Sequence, residues 1–192
     1  MSFKEFIKRF LNFLRRDSWA SLVVNLIIAV ILIKVIFFPI LSLITGTSLP
    51  LVIVESCSMY HHEDGFEKIF ENDIYEENSI SLKDTKNWVF QNGFSKGDII
   101  FVVGVKNIEI GDVIIFEAGT KYPLIHRVIT ANDTYSTKGD NYLTNPGQLS
   151  VEEEIYKEQI VGKALFKIPY IGWMKLIFFE FARPVNERGI CS

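Results

Sequence analysis

The sequence predicts a mainly β fold, in which an antiparallel β body is attached to one N-terminal transmembrane helix. Residues 19–38 form an almost unbroken apolar run of twenty residues, a length that matches the ~30 Å hydrocarbon core of a bilayer. Short apolar segments follow from residue 94 onward, and two of them open with Gly-Asp turns that lead into buried strands. The chain lacks the alternation of strands and long helices that is typical of a parallel sheet, so an antiparallel sheet is favoured.

Composition narrows the class of protein. The 192 residues allow one compact domain with attached segments. The net charge is −3 and no stripe of Lys and Arg occurs beyond residue 17, so no nucleic-acid partner is predicted. Cys57 and Cys191 are too few for a disulfide framework; one pair could form, but the sequence does not decide it, and the redox compartment stays open.

The N-terminal 45 residues are predicted to associate with a membrane. In residues 1–17 apolar side chains recur at helical spacing and five Lys and Arg residues occupy the other faces, which is typical of a basic amphipathic helix on the cytoplasmic membrane surface. Residues 18–45 are predicted to be a signal anchor, because the apolar run is too long for a signal-peptide core and no small-residue cleavage site follows closely. The positive-inside rule then places the N-terminus in the cytoplasm and the rest of the chain outside.

The remainder is predicted to be an extracytoplasmic β domain, residues 46–168, followed by an apolar interfacial segment, residues 169–192. Within the β domain, residues 61–92 are acidic and predict a solvated, partly helical insertion. The last segment is rich in Tyr, Trp and Phe but is short for a span and is interrupted by Lys175 and Glu180. It is predicted to lie at the membrane interface, and packing on the β body is the alternative.

A metal site is not predicted, although histidines and acids adjoin each other at His61, His62, Glu63 and Asp64. Adjacent residues cannot easily ligate one ion together, and the sequence holds no second pair of histidines. No cofactor is predicted either.

The stretch from Leu51 to Met59 is the main candidate for chemistry. A β-rich apolar strand ends abruptly in Ser-Cys-Ser, which places a hydroxyl or a thiol at the tip of a rigid element. Serines in such turns more often bond only to nearby backbone. Ser58 and Cys57 are both candidate nucleophiles, and because neighbouring strand residues point to opposite sides, one of the two must face away from a shared base.

Several short motifs in the same order resemble type I signal peptidases. The resemblance is to the archaeal and endoplasmic-reticulum branch, which has a histidine where the bacterial branch has a lysine base. It runs from the apolar span to about Trp173 and leaves out the acidic insertion and the last twenty or so residues. The motifs are Ser-Cys-Ser-Met at 56–59, two Gly-Asp strand starts, His-Arg-Val at 126–128, Lys-Gly-Asp-Asn at 138–141 and the closing stretch 161–173.

The resemblance implies an antiparallel β protease body of signal-peptidase type and a membrane-anchored serine endopeptidase. Such an enzyme cleaves signal peptides from exported pre-proteins after small residues. Ser58 matches the nucleophile, His126 the general base and Asp140 the acid that orients the base. The hydroxyl of Ser56 and the backbone N–H of Ser58 match the donors to the oxyanion. A serine hydroxyl needs a neighbouring base, an oriented base and preorganised oxyanion donors, so these roles agree with the residue types.

Three positions depart from the family pattern. Cys57 stands where the family usually has glycine, and His61 where it has proline. Pro146 stands where the endoplasmic-reticulum branch has the aspartate regarded as its triad acid. The orienting group is therefore Asp140, Asn145 as a neutral partner, or an acid from elsewhere in the chain.

The same resemblance implies the partners and the location. The expected partners are signal peptides of secretory pre-proteins and membrane lipid, and the translocation machinery is a further candidate. The expected location is the cell membrane as a single-pass protein, or the endoplasmic-reticulum membrane in a eukaryote. The alternative function is a non-catalytic accessory subunit of a membrane protein-processing complex, in which the altered acid loop reflects lost chemistry.

Overall fold

The chain divides into two units, Met1–Ile44 and Thr45–Ser192. The structure is a computed structural model, and it describes residues 2–62 and 65–191. Each unit is built from a different kind of secondary structure, as the pattern of apolar residues predicts. The first is helical, and the second contains the sheet.

The first unit consists of an amphipathic helix followed by a long apolar one. Helix α1 is Phe3–Leu14, and helix α2 is Trp19–Ile31. Ser21 Oγ and Asn25 Nδ2 both donate to the Leu14 carbonyl oxygen, at 2.8 and 2.9 Å. Because the last carbonyls of a helix lack partners within that helix, these bonds explain why polar residues occur in an otherwise apolar helix.

The apolar helix continues without a break through a wider π-helical turn, Leu32–Phe37, into helix α3, Phe38–Thr45. Pro39 has no N–H and crowds the carbonyl four residues before it, which accounts for the widened turn just ahead of it. From Trp19 to Thr45 the helix has 27 residues and is long and apolar enough to cross a membrane. The predicted apolar helix of membrane-spanning length is therefore confirmed.

The second unit is organised by a six-stranded sheet in which every pair of neighbouring strands is antiparallel, as predicted. The order across the sheet is β1-β2-β6-β3-β4-β5. Strand β6 is the last in the chain but lies in the middle of the sheet, where it joins the β1–β2 pair to strands β3, β4 and β5. The strands are β1 Leu51–Ile53, β2 Ile99–Val103, β3 Val113–Phe116, β4 Leu124–Ala131, β5 Tyr135–Lys138 and β6 Ile160–Ile168.

Both faces of the sheet are covered at β3, where all four residues are buried. Because side chains alternate along a strand, Val113 and Ile115 enter one apolar cluster, with Met59 and Phe94. Ile114 and Phe116 enter another, with Val128 and Ile155. The Met of the Ser-Cys-Ser-Met motif thus anchors its turn in the core.

The insertion is partly helical, and it is less solvated than its acidic composition suggests. In its described part, residues 65–92, it forms helix α4, Asp73–Glu77, and two 3₁₀ helices, Phe66–Glu71 and Leu82–Asn87. Ile69, Tyr75 and Ile80 are buried together with Ile129 of β4. The insertion is therefore a layer packed on the sheet, and the alternation of its apolar and acidic residues reflects its inner and outer sides.

After β6 the chain forms helix α5, Trp173–Leu176, and two 3₁₀ helices, Glu180–Ala182 and Val185–Glu187. Leu176 is buried, and Trp173 Nε1 donates to the Lys96 carbonyl at 2.8 Å, so this segment packs on the β body. It also leaves a set of large apolar side chains exposed, comprising Tyr170, Ile171, Met174, Ile177, Phe178 and Phe181.

Gly97 provides a test of this packing, with Gly119 as a matched control. Both have positive φ, at 91° and 71°, but a Cβ on Gly97 would lie 2.1 Å from Trp173 Cδ1, whereas a Cβ on Gly119 would meet open space. Both Gly→Ala changes add backbone strain of about 1 kcal/mol. Gly97→Ala should lower the free energy of unfolding by a further ~1–3 kcal/mol through overpacking. Denaturant unfolding of the full chain in detergent measures the difference, and equal losses would contradict this account.

Candidate catalytic site

The turn that carries the two serines follows β1 directly and is fixed at both ends. Val54 exchanges backbone hydrogen bonds with the 97–98 turn, its N–H donating to the Asp98 carbonyl and its carbonyl accepting from Gly97 N–H, both at 2.9 Å. At the other end Met59 is fully buried, and its carbonyl accepts from Phe94 N–H at 2.7 Å. Ser58 is half-buried between these anchors, and Ser56 is exposed.

The loop after β5 is hydrogen-bonded to the same turn through Asn141. Its backbone N–H donates to the Ser58 carbonyl at 2.9 Å, and its side-chain Nδ2 donates to the Cys57 carbonyl at 2.8 Å. The Lys-Gly-Asp-Asn motif therefore fixes the backbone on which the candidate nucleophile stands. It does so through the asparagine.

His126 lies on β4 and is almost completely buried, with 2% of its surface exposed. A Cβ on Gly139 would lie 2.9 Å from the Ser58 carbonyl oxygen and 3.0 Å from His126 Nε2. These two atoms are therefore no more than about 6 Å apart, and both border a position at which any side chain larger than that of glycine would clash. The Ser58 hydroxyl is 3.2 Å from the Ser56 hydroxyl. The structure thus brings Ser56, Ser58 and His126 to one place.

The other nitrogen of the His126 ring, Nδ1, contacts the carboxylate of Glu152, whose side chain is fully buried. Glu152 ends the 3₁₀ helix Ser150–Glu152. Its other oxygen accepts from Leu149 N–H at 2.9 Å, and Thr137 Oγ1 lies 3.3 Å from the oxygen that faces His126. A carboxylate at Nδ1 favours the tautomer that carries its hydrogen on Nδ1 and leaves Nε2 as the acceptor.

Asp140 lies elsewhere, against Arg127. Its carboxylate accepts from Arg127 Nε at 3.0 Å and Nη2 at 2.6 Å, and it lies 2.9 Å from His61 Nε2. His126 and Arg127 are neighbours on β4 and therefore point to opposite sides of the sheet. The carboxylate that contacts His126 belongs to Glu152, in the position that sequence analysis assigned to Asp140.

The charge of Arg127 determines the ionisation of Asp140. Complete burial would by itself raise the pKa of Asp140, but the Arg127 charge and hydrogen bonds from His61 and Arg127 outweigh it and lower the pKa to about 2. Arg127 is itself buried against the rings of Phe66 and Trp88, 5.4 Å from each ring centre. The pair thus ties the insertion to the Lys-Gly-Asp-Asn loop.

Asn145 and Lys138 complete the loop around Gly139. The Asn145 Cγ would lie 2.9 Å from a Cβ on Gly139, so this side chain borders the same position as His126 Nε2. Lys138 Nζ is buried and donates to the carbonyls of Gly139 and Asn145, which fixes the loop from inside. Burial lowers the pKa of Lys138, and the charges of Glu152 and Asp140 partly oppose that shift.

Cys57 forms a disulfide with Cys191, 134 residues away in the sequence. The question of pairing that the sequence left open is settled in this structure, and Cys57 has no thiol to act as a nucleophile. Two of the residues considered as metal ligands have polar partners in the protein. His61 Nε2 lies 2.9 Å from the Asp140 carboxylate, and His62 Nε2 lies 3.2 Å from Asn141 Oδ1. Glu63 and Asp64 lie outside the described residues.

Two grooves meet at the serines. The first, here the β1 groove, runs beside β1 and is closed on its other side by residues 120–125. The second, here the tail groove, lies between the 141–145 loop and the C-terminal residues 187–191. Glu55, Ser56, Ser58 and Arg183 line both of them. A chain that passes Ser58 can therefore enter by one groove and leave by the other.

The chain is similar in sequence to several curated proteins that are named as signal peptidase subunits. It is 28% identical to the signal peptidase complex catalytic subunit SEC11C of Homo sapiens over 101 residues, which are 47% of this chain and 53% of the human protein. It is 30% identical over 99 residues to the signal peptidase complex catalytic subunit SEC11 of Lachancea thermotolerans, covering 45% of this chain and 59% of that protein. The SEC11 subunit of Komagataella phaffii is 28% identical over 102 residues, with 45% and 60% covered.

These matches span little more than half the length of the relatives. No protein-family model matches the chain. The chain is therefore similar to proteins named as catalytic subunits of a signal peptidase complex, over a shared part of each sequence.

The Asp140–Arg127 pair predicts a pH-dependent contribution to stability. Because the pKa of Asp140 is lower in the folded chain than in the unfolded one, its contribution of about 2 kcal/mol is present above about pH 4 and is lost as the pH falls toward 2. The difference in free energy of unfolding between wild type and Asp140→Asn should therefore shrink across this range. Denaturant titration of the full chain in detergent measures it. Asp133→Asn, on the exposed β4–β5 turn, is the control and should stay near wild type; a difference between wild type and Asp140→Asn that does not change with pH contradicts the assignment.

Proposed function

We propose that this chain is a membrane-anchored serine endopeptidase that removes signal peptides from exported pre-proteins, cutting after small residues. The observation that carries the proposal is the convergence of Ser58, His126 and Glu152. The backbone of Ser58, on a rigid turn, and Nε2 of His126 both border the position of Gly139, and the other nitrogen of that histidine contacts a buried carboxylate. Acyl transfer needs this combination of groups.

In the proposed reaction Ser58 Oγ attacks the carbonyl carbon of the scissile peptide bond while His126 Nε2 takes its proton. The Ser58 hydroxyl lies 3.2 Å from the Ser56 hydroxyl, and the proposed proton transfer requires it to turn from there to His126 Nε2. The imidazolium then gives the proton to the leaving amine as the C–N bond breaks. Water, activated by the same nitrogen, hydrolyses the acyl-serine and restores the hydroxyl.

We assign the orienting role to Glu152 and a structural role to Asp140. Glu152 holds the tautomer that leaves Nε2 as an acceptor, and its negative charge stabilises the imidazolium. Its carboxylate also accepts from the Leu149 N–H at 2.9 Å, which fixes its position. This is the case in which an acid from elsewhere in the chain replaces the aspartate missing at Pro146.

The oxyanion is assigned to the backbone N–H of Ser58 and the hydroxyl of Ser56. The Ser56 hydroxyl already lies 3.2 Å from the Ser58 hydroxyl, so it is close to the oxygen that bonds to the substrate's carbonyl carbon in the tetrahedral intermediate. Loss of one such donor typically costs about 10²–10³-fold in turnover.

We assign the substrate residues that precede the cleavage site to the β1 groove. β1 is the outermost strand of the sheet and, within the described residues, pairs with β2 alone, so its other edge is available to an extended peptide. The lining of the β1 groove includes the aliphatic side chains of β1 and of Leu124 and Ile125. Shallow apolar walls suit the small residues that precede a signal-peptide cleavage site.

Location and partners follow from the same proposal. The apolar helix Trp19–Thr45 would anchor the chain, with the basic N-terminus in the cytoplasm and the catalytic unit outside. The Cys57–Cys191 disulfide supports this, because disulfides persist in oxidising compartments. The proposed cellular location is the cell membrane, or the endoplasmic-reticulum membrane in a eukaryote. The exposed apolar side chains after β6 would contact lipid, and the translocation machinery is a candidate partner.

Purified full chain in detergent should cleave a pre-protein after a small residue without any other subunit. Ser58→Ala and His126→Ala should each reduce cleavage to background, because they remove the nucleophile and the base. Gel analysis and mass spectrometry of the new N-terminus measure both rate and position. A folded wild type that cleaves no pre-protein would favour the accessory-subunit function instead.

Glu152→Gln should lower kcat about 10³–10⁴-fold with little change in KM, because an amide cannot hold the required tautomer or stabilise the imidazolium. Glu152→Asp should recover part of the activity, since it keeps the charge. Glu153→Gln is the matched control: it changes the exposed neighbour and should leave kcat near wild type. Full kcat in Glu152→Gln would remove Glu152 from the mechanism.

A further inference from the structure

The C-terminal residues 183–191, here the tail, form one wall of the tail groove directly beside Ser58. Cys191 is covalently bound to Cys57, the residue before the candidate nucleophile. Arg188, Gly189 and Ile190 line the groove opposite the 141–145 loop. The resemblance to signal peptidases ends before these residues.

The tail is held by a buried lysine as well as by the disulfide. Lys96 is 1% exposed, and its Nζ donates to the Glu180 carboxylate and to the Glu187 carbonyl, the latter at 2.7 Å. The same Glu180 carboxylate accepts from Gly189 N–H at 2.8 Å. Because a buried charge without partners is strongly unfavourable, these contacts fix the course of the tail past the serine turn.

Arg183 stands where the two grooves meet. Its Nη1 and Nη2 donate to the carbonyl and the carboxylate of Glu55, at 3.1 and 2.6 Å. Glu55 is the third residue before Ser58. The tail is thus joined to the serine turn at Glu55 and at Cys57, on both sides of Ser56.

The two grooves differ in chemistry. The β1 groove includes the aliphatic side chains of β1 and of Leu124 and Ile125, together with Lys121 and Lys175. The tail groove has a larger share of polar and charged groups, among them His62, Asn141, Asn145 and Arg188. A peptide cut at Ser58 must extend from it in both directions. The apolar groove fits the residues before the cut, which leaves the polar groove for those after it.

We propose that the tail groove binds the first residues of the substrate after the cut, as an extended polar peptide, and that Arg188 makes it prefer acidic residues there. The proposal rests on the proposed endopeptidase function. The preference follows from how Arg188 is held: its Nε and Nη2 donate to the carbonyls of Arg183 and Phe181, both at 2.8 Å. Carbonyls fix the guanidinium without neutralising it, so its charge is felt by a peptide in the groove.

The first experiment compares two pre-proteins that differ only after the cut. One carries Glu and the other Lys at the second and third residues of the mature part. Full-length wild type in detergent at low salt should show a kcat/KM about two- to fivefold higher for the Glu substrate, the range expected for one exposed charge pair. Arg188→Glu should reverse this ratio. Lys157→Glu makes the same change of charge on the exposed turn before β6 and should keep the wild-type ratio.

Cleavage of both substrates at equal rates, or a ratio that Arg188→Glu does not alter, overturns the assignment of Arg188 and leaves the endopeptidase function standing. Absence of any cleavage overturns the endopeptidase function. The two failures are therefore distinct.

The second experiment does not depend on turnover. A photo-crosslinking residue is placed either two residues after or two residues before the cut of a pre-protein, and the Ser58→Ala full chain is labelled. The probe after the cut should label the tail or the 141–145 loop, and the probe before it should label β1 or residues 120–125. Labelling of residues 120–125 by the probe after the cut, or no labelling of the tail groove by it, overturns the proposal.

Discussion

The buried ion pair between Arg127 and Asp140 is the contact on which the arrangement of the second unit depends. Both side chains are almost completely excluded from solvent, so either charge would be buried without a counter-charge if the other were removed. Arg127 also donates to the carbonyls of Val89 and Gly111, at 2.8 and 2.9 Å. One side chain therefore joins β4, the insertion, the turn before β3 and the loop after β5. That loop contains Asn141, which holds the backbone of Ser58.

The alternation of side chains along β4 divides the two acids between two tasks. Arg127 points toward the insertion and pairs with Asp140, while His126 points to the opposite face and contacts Glu152. A single carboxylate cannot serve neighbours that face apart. In the proposed mechanism this separation lets the histidine keep a carboxylate of its own.

The sequence predicts the parts of this molecule that depend on local pattern and leaves open those that depend on packing. The apolar run and the Gly-Asp turns are sufficient for the helix and the antiparallel sheet. The Ser-Cys-Ser-Met and His-Arg-Val motifs predict Ser58 and His126 as site residues. The Lys-Gly-Asp-Asn motif predicts Asp140 as the orienting acid, whereas the carboxylate in contact with His126 is that of Glu152. Glu152 gives no signal of its own, because it belongs to three consecutive glutamates that look like a solvated run, and only the turn at 149–152 buries the first of them. The Cys57–Cys191 pairing spans 134 residues, and no local pattern can decide such a contact.

The division between the two acids is tested most directly by proton NMR of the full chain in detergent with ¹⁵N-labelled histidine. The Nδ1–H of a histidine bound to a carboxylate gives a resonance that is protected from exchange, and His126→Gln identifies which signal belongs to this ring. We expect that resonance to disappear in Glu152→Gln and to persist in Asp140→Asn. Its persistence in Glu152→Gln together with its loss in a folded Asp140→Asn would contradict the account.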